Sequence, residues 1–189
     1  MNKLQTLLLV ASLSIGHYAL ADYTECNVLL TPTTQDYGRI HKDELNFTAT
    51  DKGQAAALHK RQAQLTVTCP EEKEVFDLTF LGNMTPNNDL AFSETGKVIL
   101  TLDNLTADTG SVFLKRTVGK ELSTEPVSSL RIYMGDRIKL VDTAGLPLSL
   151  QSFRATVEIE PWVAESTYND LANDKKLEGS LTVRIEPAE

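Results

Sequence analysis

The only two cysteines of the chain, Cys26 and Cys69, are the residues with the clearest chemistry. Cys26 opens the run Cys26–Leu30 and Cys69 closes the run Gln64–Cys69, and both runs have the composition of β-strands. A single intramolecular pairing is possible, and an exported protein meets a compartment that favours it over free thiols. A metal site is the other alternative to a disulfide, and no histidine lies close enough to the cysteines in sequence to favour it. A disulfide would close the loop between Cys26 and Cys69, and this closure disfavours the unfolded state by about 4 kcal/mol.

Export is expected from the first residues of the chain. Met1–Ala21 has a positive start at Lys3, a short apolar run and the small-x-small pattern Ala19-Leu20-Ala21, which together indicate a secretory signal peptide. The apolar run is too short for a transmembrane helix, which needs about 20 residues. We therefore expect residues 1–21 to be a signal peptide and residues 22–189 to form a single domain.

Catalytic and metal chemistry find little support. His41 and His59 lie in polar, loop-like stretches without a second ligand at a metal spacing. The close carboxylate pairs are Glu71–Glu72 and Glu158/Glu160, and the second pair alternates with apolar residues as the wet face of a strand does. A glycosidase pair meeting in space is the open alternative. We expect no enzyme activity, no cofactor and no metal.

The charge and the surface motifs of the chain limit the classes of partner that we expect. The formal net charge of −8 argues against nucleic acid or an anionic membrane, because both require clustered Lys and Arg. Three Asn-x-Thr sequons occur, at Asn46, Asn83 and Asn104, and the signal looks bacterial, where such sequons are usually chance. Trp162 is interpreted as capping one end of a core, with sugar stacking as the alternative.

The elements that would position these residues are strands. Alternation between apolar and polar residues, with period two, marks half-buried strands separated by turn residues. Met134–Arg137 has the composition of a hairpin turn. The predicted strands are Val28–Leu30, Leu45–Thr50, Gln64–Cys69, Val75–Leu81, Lys97–Leu102, Ser111–Arg116, Leu130–Met134, Arg137–Asp142, Phe153–Glu160 and Gly179–Glu186.

Helical signal is sparse. Asp51–Arg61, which is rich in Ala and Lys, and Ser166–Asn173 could each form a short helical turn. Neither is long enough to organise a core. Many short strands with frequent turns predict an all-β sandwich of two sheets with one disulfide.

The chain resembles the fimbrial (pilin-like) subunits of the chaperone–usher pathway of Gram-negative bacteria. The resemblance rests on Cys26 in the first strand, on the run Leu65–Pro70 that contains the second Cys, and on Asp36–Ile40 between them. It rests also on the last two strands, Phe153–Pro161 and Leu177–Ile185. It implies an immunoglobulin-like sandwich of the pilin type that lacks its last strand. A periplasmic chaperone and then a neighbouring subunit supply that strand, which is donor-strand complementation.

The resemblance names the residues of the acceptor groove for that strand. The resemblance implies that the groove is lined by side chains of the first and last strands. These are Val28 and Leu30 of the first strand and Leu181, Val183 and Ile185 of the last strand. The alternative is that these five are core residues of a complete sandwich. The chain ends shortly after this alternating strand, so we expect no later segment to pair with its free edge.

The implied function is that of a structural fimbrial subunit without bond-making chemistry. Cleavage after Ala21 leaves only Asp22–Glu25 before Cys26, which is too short to donate a strand. The subunit is therefore expected to be a minor or tip component involved in adhesion. Its expected partners are a periplasmic chaperone, an outer-membrane usher and neighbouring subunits, and its expected location is the cell surface. The alternatives are a self-contained carbohydrate-binding sandwich and a secreted hydrolase.

Overall fold

The computed structural model describes residues 26–50, 53–69, 75–119, 122–123, 125–168 and 177–187. The predicted signal peptide, the residues before Cys26, and the pair Glu71–Glu72 lie outside these ranges. In the described ranges we find twelve strands and two short 3₁₀ turns, Lys42–Glu44 and Glu165–Tyr168. The strands are β1 Asn27–Thr31, β2 Thr48–Thr50, β3 Gly53–Ala57, β4 Arg61–Thr68, β5 Phe76–Gly82, β6 Leu90–Phe92, β7 Gly96–Ala107, β8 Phe113–Val118, β9 Leu130–Ile132, β10 Arg137–Val141, β11 Ser152–Ala164 and β12 Leu181–Pro187.

The strands form two antiparallel sheets packed face to face. The larger sheet has eight strands, in which β1 pairs with β4, β4 with β11, and β11 with β7. Short strands extend it: β3 and β2 beside the end of β11, and β6 and β9 beside β7. The smaller sheet has the order β12-β5-β10-β8. The prediction of an all-β sandwich is confirmed.

Strand β11 is the centre of the larger sheet, and Pro161 divides one of its edges. On that edge β11 pairs with β4 as far as Ile159 and with β3 from Trp162 onward. Pro161 has no N–H to donate, so it falls where the partner strand changes. Its carbonyl oxygen accepts a hydrogen bond of 2.8 Å from the amide of Leu58, which lies between β3 and β4.

The core lies between the sheets and is apolar. Alternate residues of each strand point inward, as period two requires. Fully buried side chains of the larger sheet include Leu65, Val67, Leu100, Leu102, Phe153, Ala155 and Val157. They face Leu78, Phe80, Leu114, Ile138 and Leu140 of the smaller sheet.

Each of the ten predicted strands overlaps an observed strand, although Leu45–Thr50 is a strand only over Thr48–Thr50, and the predicted disulfide joins Cys26 to Cys69 across 43 residues. The predicted helical turn over Asp51–Arg61 is wrong: Gly53–Ala57 is strand β3, and Arg61 begins β4. Pairing of β3 with both β2 and the end of β11 outweighs the helical preference of its alanines. Of the predicted turn Ser166–Asn173, residues 169–173 lie outside the described ranges.

The predicted hairpin at Met134–Arg137 is also wrong, because β9 belongs to the larger sheet and β10 to the smaller. The turn instead carries the chain across the core. The buried carboxylate of Asp136 accepts hydrogen bonds from the Arg116 guanidinium at 2.7 Å and from the Tyr133 amide at 2.8 Å. Because a buried charge requires hydrogen-bond partners, these bonds hold in place the turn that joins the two sheets.

Trp162 does not cap the core. Strand β11 continues past Glu160 to Ala164, and Trp162 lies out of phase with the buried residues Pro161 and Val163. It is half-buried on the outer face, with the Lys97 ammonium 5.9 Å from the ring centre. Within the described ranges there is no helix of the length and apolarity that a membrane span requires.

Candidate functional site

On one side of the sandwich, each sheet ends in a strand that pairs with only one other described strand. Among the described strands, β1 pairs only with β4, and β12 pairs only with β5. The two edge strands nevertheless lie next to each other, one from each sheet. Among the described strands, none pairs with the backbone N–H and C=O groups on these two edges, which are the groups that an added strand would use. We call this meeting of β1 and β12 the open seam.

The inward side chains of both edge strands are apolar and only half-buried. Along β1 and β12 they alternate with exposed residues, apart from the partly covered Glu186 near the end of β12. They pack against the core without being closed off from solvent. These are the five residues of the predicted groove: Val28, Leu30, Leu181, Val183 and Ile185. The structure thus brings all five to the two sides of the open seam.

A cavity of about 1400 Å³ opens at one end of the seam, beside Leu30 and Leu181. The other three predicted groove residues lie beyond its lining. Its floor is made by core residues that the sequence did not assign to the groove: Leu90, Phe92, Val98, Leu100, Ile159 and Pro161. Alternation placed Val98, Leu100 and Ile159 in predicted strands, whereas Leu90 and Phe92 lie in β6, which the sequence did not predict. The strand order that brings these residues to one opening is a tertiary property.

The segment Pro32–Lys42 forms the opposite wall of the cavity. It follows β1 without forming a strand, and polar contacts hold it. The Gln35 side chain donates to the carbonyl oxygen of Gln62 at 3.1 Å. Lys42 forms an ion pair of 3.1 Å with Glu165. The wall is therefore attached to both β4 and the turn after β11.

Tyr37 lies at the centre of this wall. Its ring is 4.8 Å from the Arg61 guanidinium and 6.0 Å from the ring of His59. Burial raises the pKa of the Tyr37 hydroxyl, and the positive charge of Arg61 partly opposes the rise. The cation–π contact with Arg61 holds the Tyr37 ring in place.

The far end of β12 is attached to the smaller sheet by Arg137 of β10. Its guanidinium donates to the buried carboxylate of Asp77 at 2.8 Å and to the carbonyl oxygen of Pro187. It also lies 3.8 Å from Glu186. Burial raises the pKa of Asp77, while Lys139 and Arg137 oppose the rise. This cluster holds an edge strand whose one hydrogen-bonded neighbour among the described strands is β5.

The structure places those residues considered for catalysis that it describes at the surface. His41 and His59 are exposed. Glu158 and Glu160 lie on the outer face of β11, where Lys60 pairs with them at 2.7 and 3.6 Å. No group of three potential metal ligands occurs among the residues that the structure describes. The open seam and its cavity are the candidate functional site.

No protein-family model and no curated protein sequence matches the chain. Among solved structures, it is similar to a chain of a chaperone–tip adhesin complex of CFA/I fimbriae, with 12% sequence identity and a TM-score of 0.40. The match covers 86% of this chain and 42% of that chain, so this protein spans less than half of its length. At this level the similarity carries no conclusion about function.

Proposed function

We propose that this protein is a structural subunit of a chaperone–usher fimbria that accepts a strand from another protein at the open seam. The observation that supports the proposal is the pair of adjacent edge strands, each paired on one edge only among the described strands and each with half-buried apolar side chains. An incoming strand would satisfy the backbone groups of the edges and cover these side chains at once. The function is assembly and adhesion rather than catalysis.

The proposal fits the immunoglobulin-like pilin sandwich without its last strand that the sequence resemblance implies. A periplasmic chaperone supplies the strand first, the outer-membrane usher organises the exchange, and a neighbouring subunit replaces the chaperone. Val28 and Leu30 on one side, with Val183 and its neighbours on the other, line the groove for the alternate side chains of that strand.

The test is complementation by a donor segment fused after the last residue through a flexible linker of about ten residues. We expect the unfused protein to aggregate or be degraded in the periplasm without a chaperone, and the fusion to accumulate as a folded monomer. The matched control carries the same donor residues shifted by one position. That shift turns the apolar side chains outward and should abolish the rescue.

An unfused protein that is soluble, monomeric and as heat-stable as the fusion would contradict the proposal. It would instead indicate a self-contained sandwich, such as a carbohydrate-binding module.

The place at the tip or as a minor component is a separate part of the proposal. It depends on cleavage after Ala21, which would leave too few residues before Cys26 to donate a strand. The mass of the exported protein measures where cleavage occurs. A mature chain with about a dozen residues before Cys26 would assign the protein to the fibre interior.

A further inference from the structure

The outward side of β12 carries one charge, that of Arg184, for which the described part of the chain provides no ion-pair partner. Its outward residues are Thr182, Arg184 and Glu186. Glu186 lies 3.8 Å from Arg137, which also binds Asp77. Arg184 is exposed and forms no ion pair with any residue that the structure describes. An incoming strand therefore meets an unneutralised guanidinium at the middle of β12.

On the proposed function, we propose that Arg184 selects the incoming strand by charge and favours a segment that places Asp or Glu opposite it. A strand added to the free edge of β12 alternates in step with it, so its outward side chains lie beside those of β12. Directly opposite residues have Cβ atoms about 5 Å apart, which is close enough for an ion pair. The occupant of the seam is thus an extended segment, apolar on its inward side and acidic at one outward position.

The other side of the seam offers no competing charge. The outward residues of β1 are Asn27, Leu29 and Thr31, none of which is charged. The chain as a whole has a formal net charge of −8, which disfavours acidic segments in general. If the seam prefers a peptide with Glu at one position, the net negative charge of the chain does not explain it. The preference would therefore come from a cation close to that position.

The experiment measures competition between peptides for the seam. The full chain is refolded with a fluorescent donor peptide that alternates apolar inward and Thr or Gln outward residues. Unlabelled competitors carry a single Gln→Glu or Gln→Lys change, scanned over the outward positions. At one position we expect Glu to strengthen competition about two- to fivefold and Lys to weaken it by a similar factor.

Two variants assign the effect. Arg184→Gln should remove the preference, so that the Glu, Gln and Lys competitors become equally potent. Arg154→Gln removes an exposed cation from the outer face of β11, which is separated from β1 by β4 and belongs to the other sheet from β12, and should keep the preference. Raising the salt to about 1 M, where screening acts within about 3 Å, should reduce the preference in the unaltered protein.

Peptides that compete without any positional charge preference, or a preference that persists in Arg184→Gln, would overturn the role of Arg184 and leave the proposed function intact. If no peptide binds the refolded chain, the proposed function fails, and this inference fails with it.

Discussion

At the scale of single residues, the disulfide between Cys26 and Cys69 stabilises one side of the open seam. Cys26 immediately precedes β1, and Cys69 immediately follows β4, the only strand with which β1 pairs in the described ranges. An edge strand of five residues has few hydrogen bonds of its own. The covalent bond therefore helps to keep β1 next to β4, its one described partner strand.

Cys69→Ser should lower the free energy of unfolding by about 4 kcal/mol as an upper value, because the unfolded chain regains the entropy of an unclosed loop. Urea denaturation of the donor-complemented protein measures the loss. Reduction of the unaltered protein should reproduce it, and the double variant Cys26→Ser/Cys69→Ser should match the single one. An unchanged unfolding free energy would show that the disulfide does not stabilise the fold.

Asp77 predicts a pH dependence with a defined sign. Burial raises its pKa above the ordinary value of 3.8 in the folded protein. A raised pKa contributes stability that is fully present below pH 3.8 and is lost as the pH rises through the folded value. In Asp77→Asn, which keeps an acceptor for Arg137, this loss is absent.

The unfolding free energy of Asp77→Asn relative to the unaltered protein should therefore increase between about pH 3 and about pH 7. Urea titrations at several pH values give this difference. A relative stability that decreases over the same range would mean that Arg137, rather than burial, dominates the titration of Asp77.

At the scale of elements, β12 depends on Arg137 because β5 is its only neighbour in the described sheet. Arg137→Gln would leave the Asp77 carboxylate buried without its cation and release the carbonyl oxygen of Pro187. Removing one partner of a buried pair costs about 3 kcal/mol. We expect faster amide hydrogen exchange along β12, strongest near Ile185, whereas Arg154→Gln on the outer face of β11 should leave this exchange unchanged. Equal protection in both variants would exclude Arg137 as the anchor.

The elements also show where sequence patterns suffice. Strong alternation, as in Val98–Leu102 and Ala155–Ile159, predicted long strands that the structure contains. The missed strands are β3, whose Gly, Gln and Ala residues lack β-propensity, and β6, whose three residues are too short to show a period. Both form because a longer strand pairs with them, which a local pattern does not encode.

The candidate site was predictable to a similar degree. The five seam residues follow from alternation in β1 and β12 combined with the family resemblance. The cavity floor and the wall around Tyr37 were not predictable, since they depend on which strands become neighbours. The prediction that Trp162 caps the core depends on a strand that stops at Glu160. Strand β11 continues to Ala164, and the same period of two places Trp162 on the outer face.

At the scale of the whole molecule, the sandwich leaves one of its corners uncovered. Within the part of the chain that the structure describes, β1 and β12 end the two sheets side by side, and no described strand covers the gap. Their inward side chains contact the core and remain partly exposed to water. Covering them with an apolar strand would recover about 25 cal/mol for each Å² removed from water. On the proposed function, binding of the donor strand would therefore contribute to folding stability.

This coupling predicts opposite results for the same substitution at neighbouring positions of β1. Val28 points inward and is half-buried, whereas the side chain of Leu29 points outward and is 52% exposed. Val28→Asp would place a carboxylate under the incoming strand, where an unpaired charge is costly, and should weaken donor binding by at least about 100-fold. Leu29→Asp changes only the solvated face and should alter binding less than about threefold.

Competition with the labelled donor peptide measures both variants. Circular dichroism of the donor-fused forms separates weaker binding from loss of fold, because a fused donor is present at high effective concentration. Equal effects of the two substitutions would mean that β1 does not face the incoming strand. A large effect of Leu29→Asp alone would mean that the strand adds to the outer face. Either result would place the binding surface elsewhere, because the open seam requires the two faces of β1 to differ.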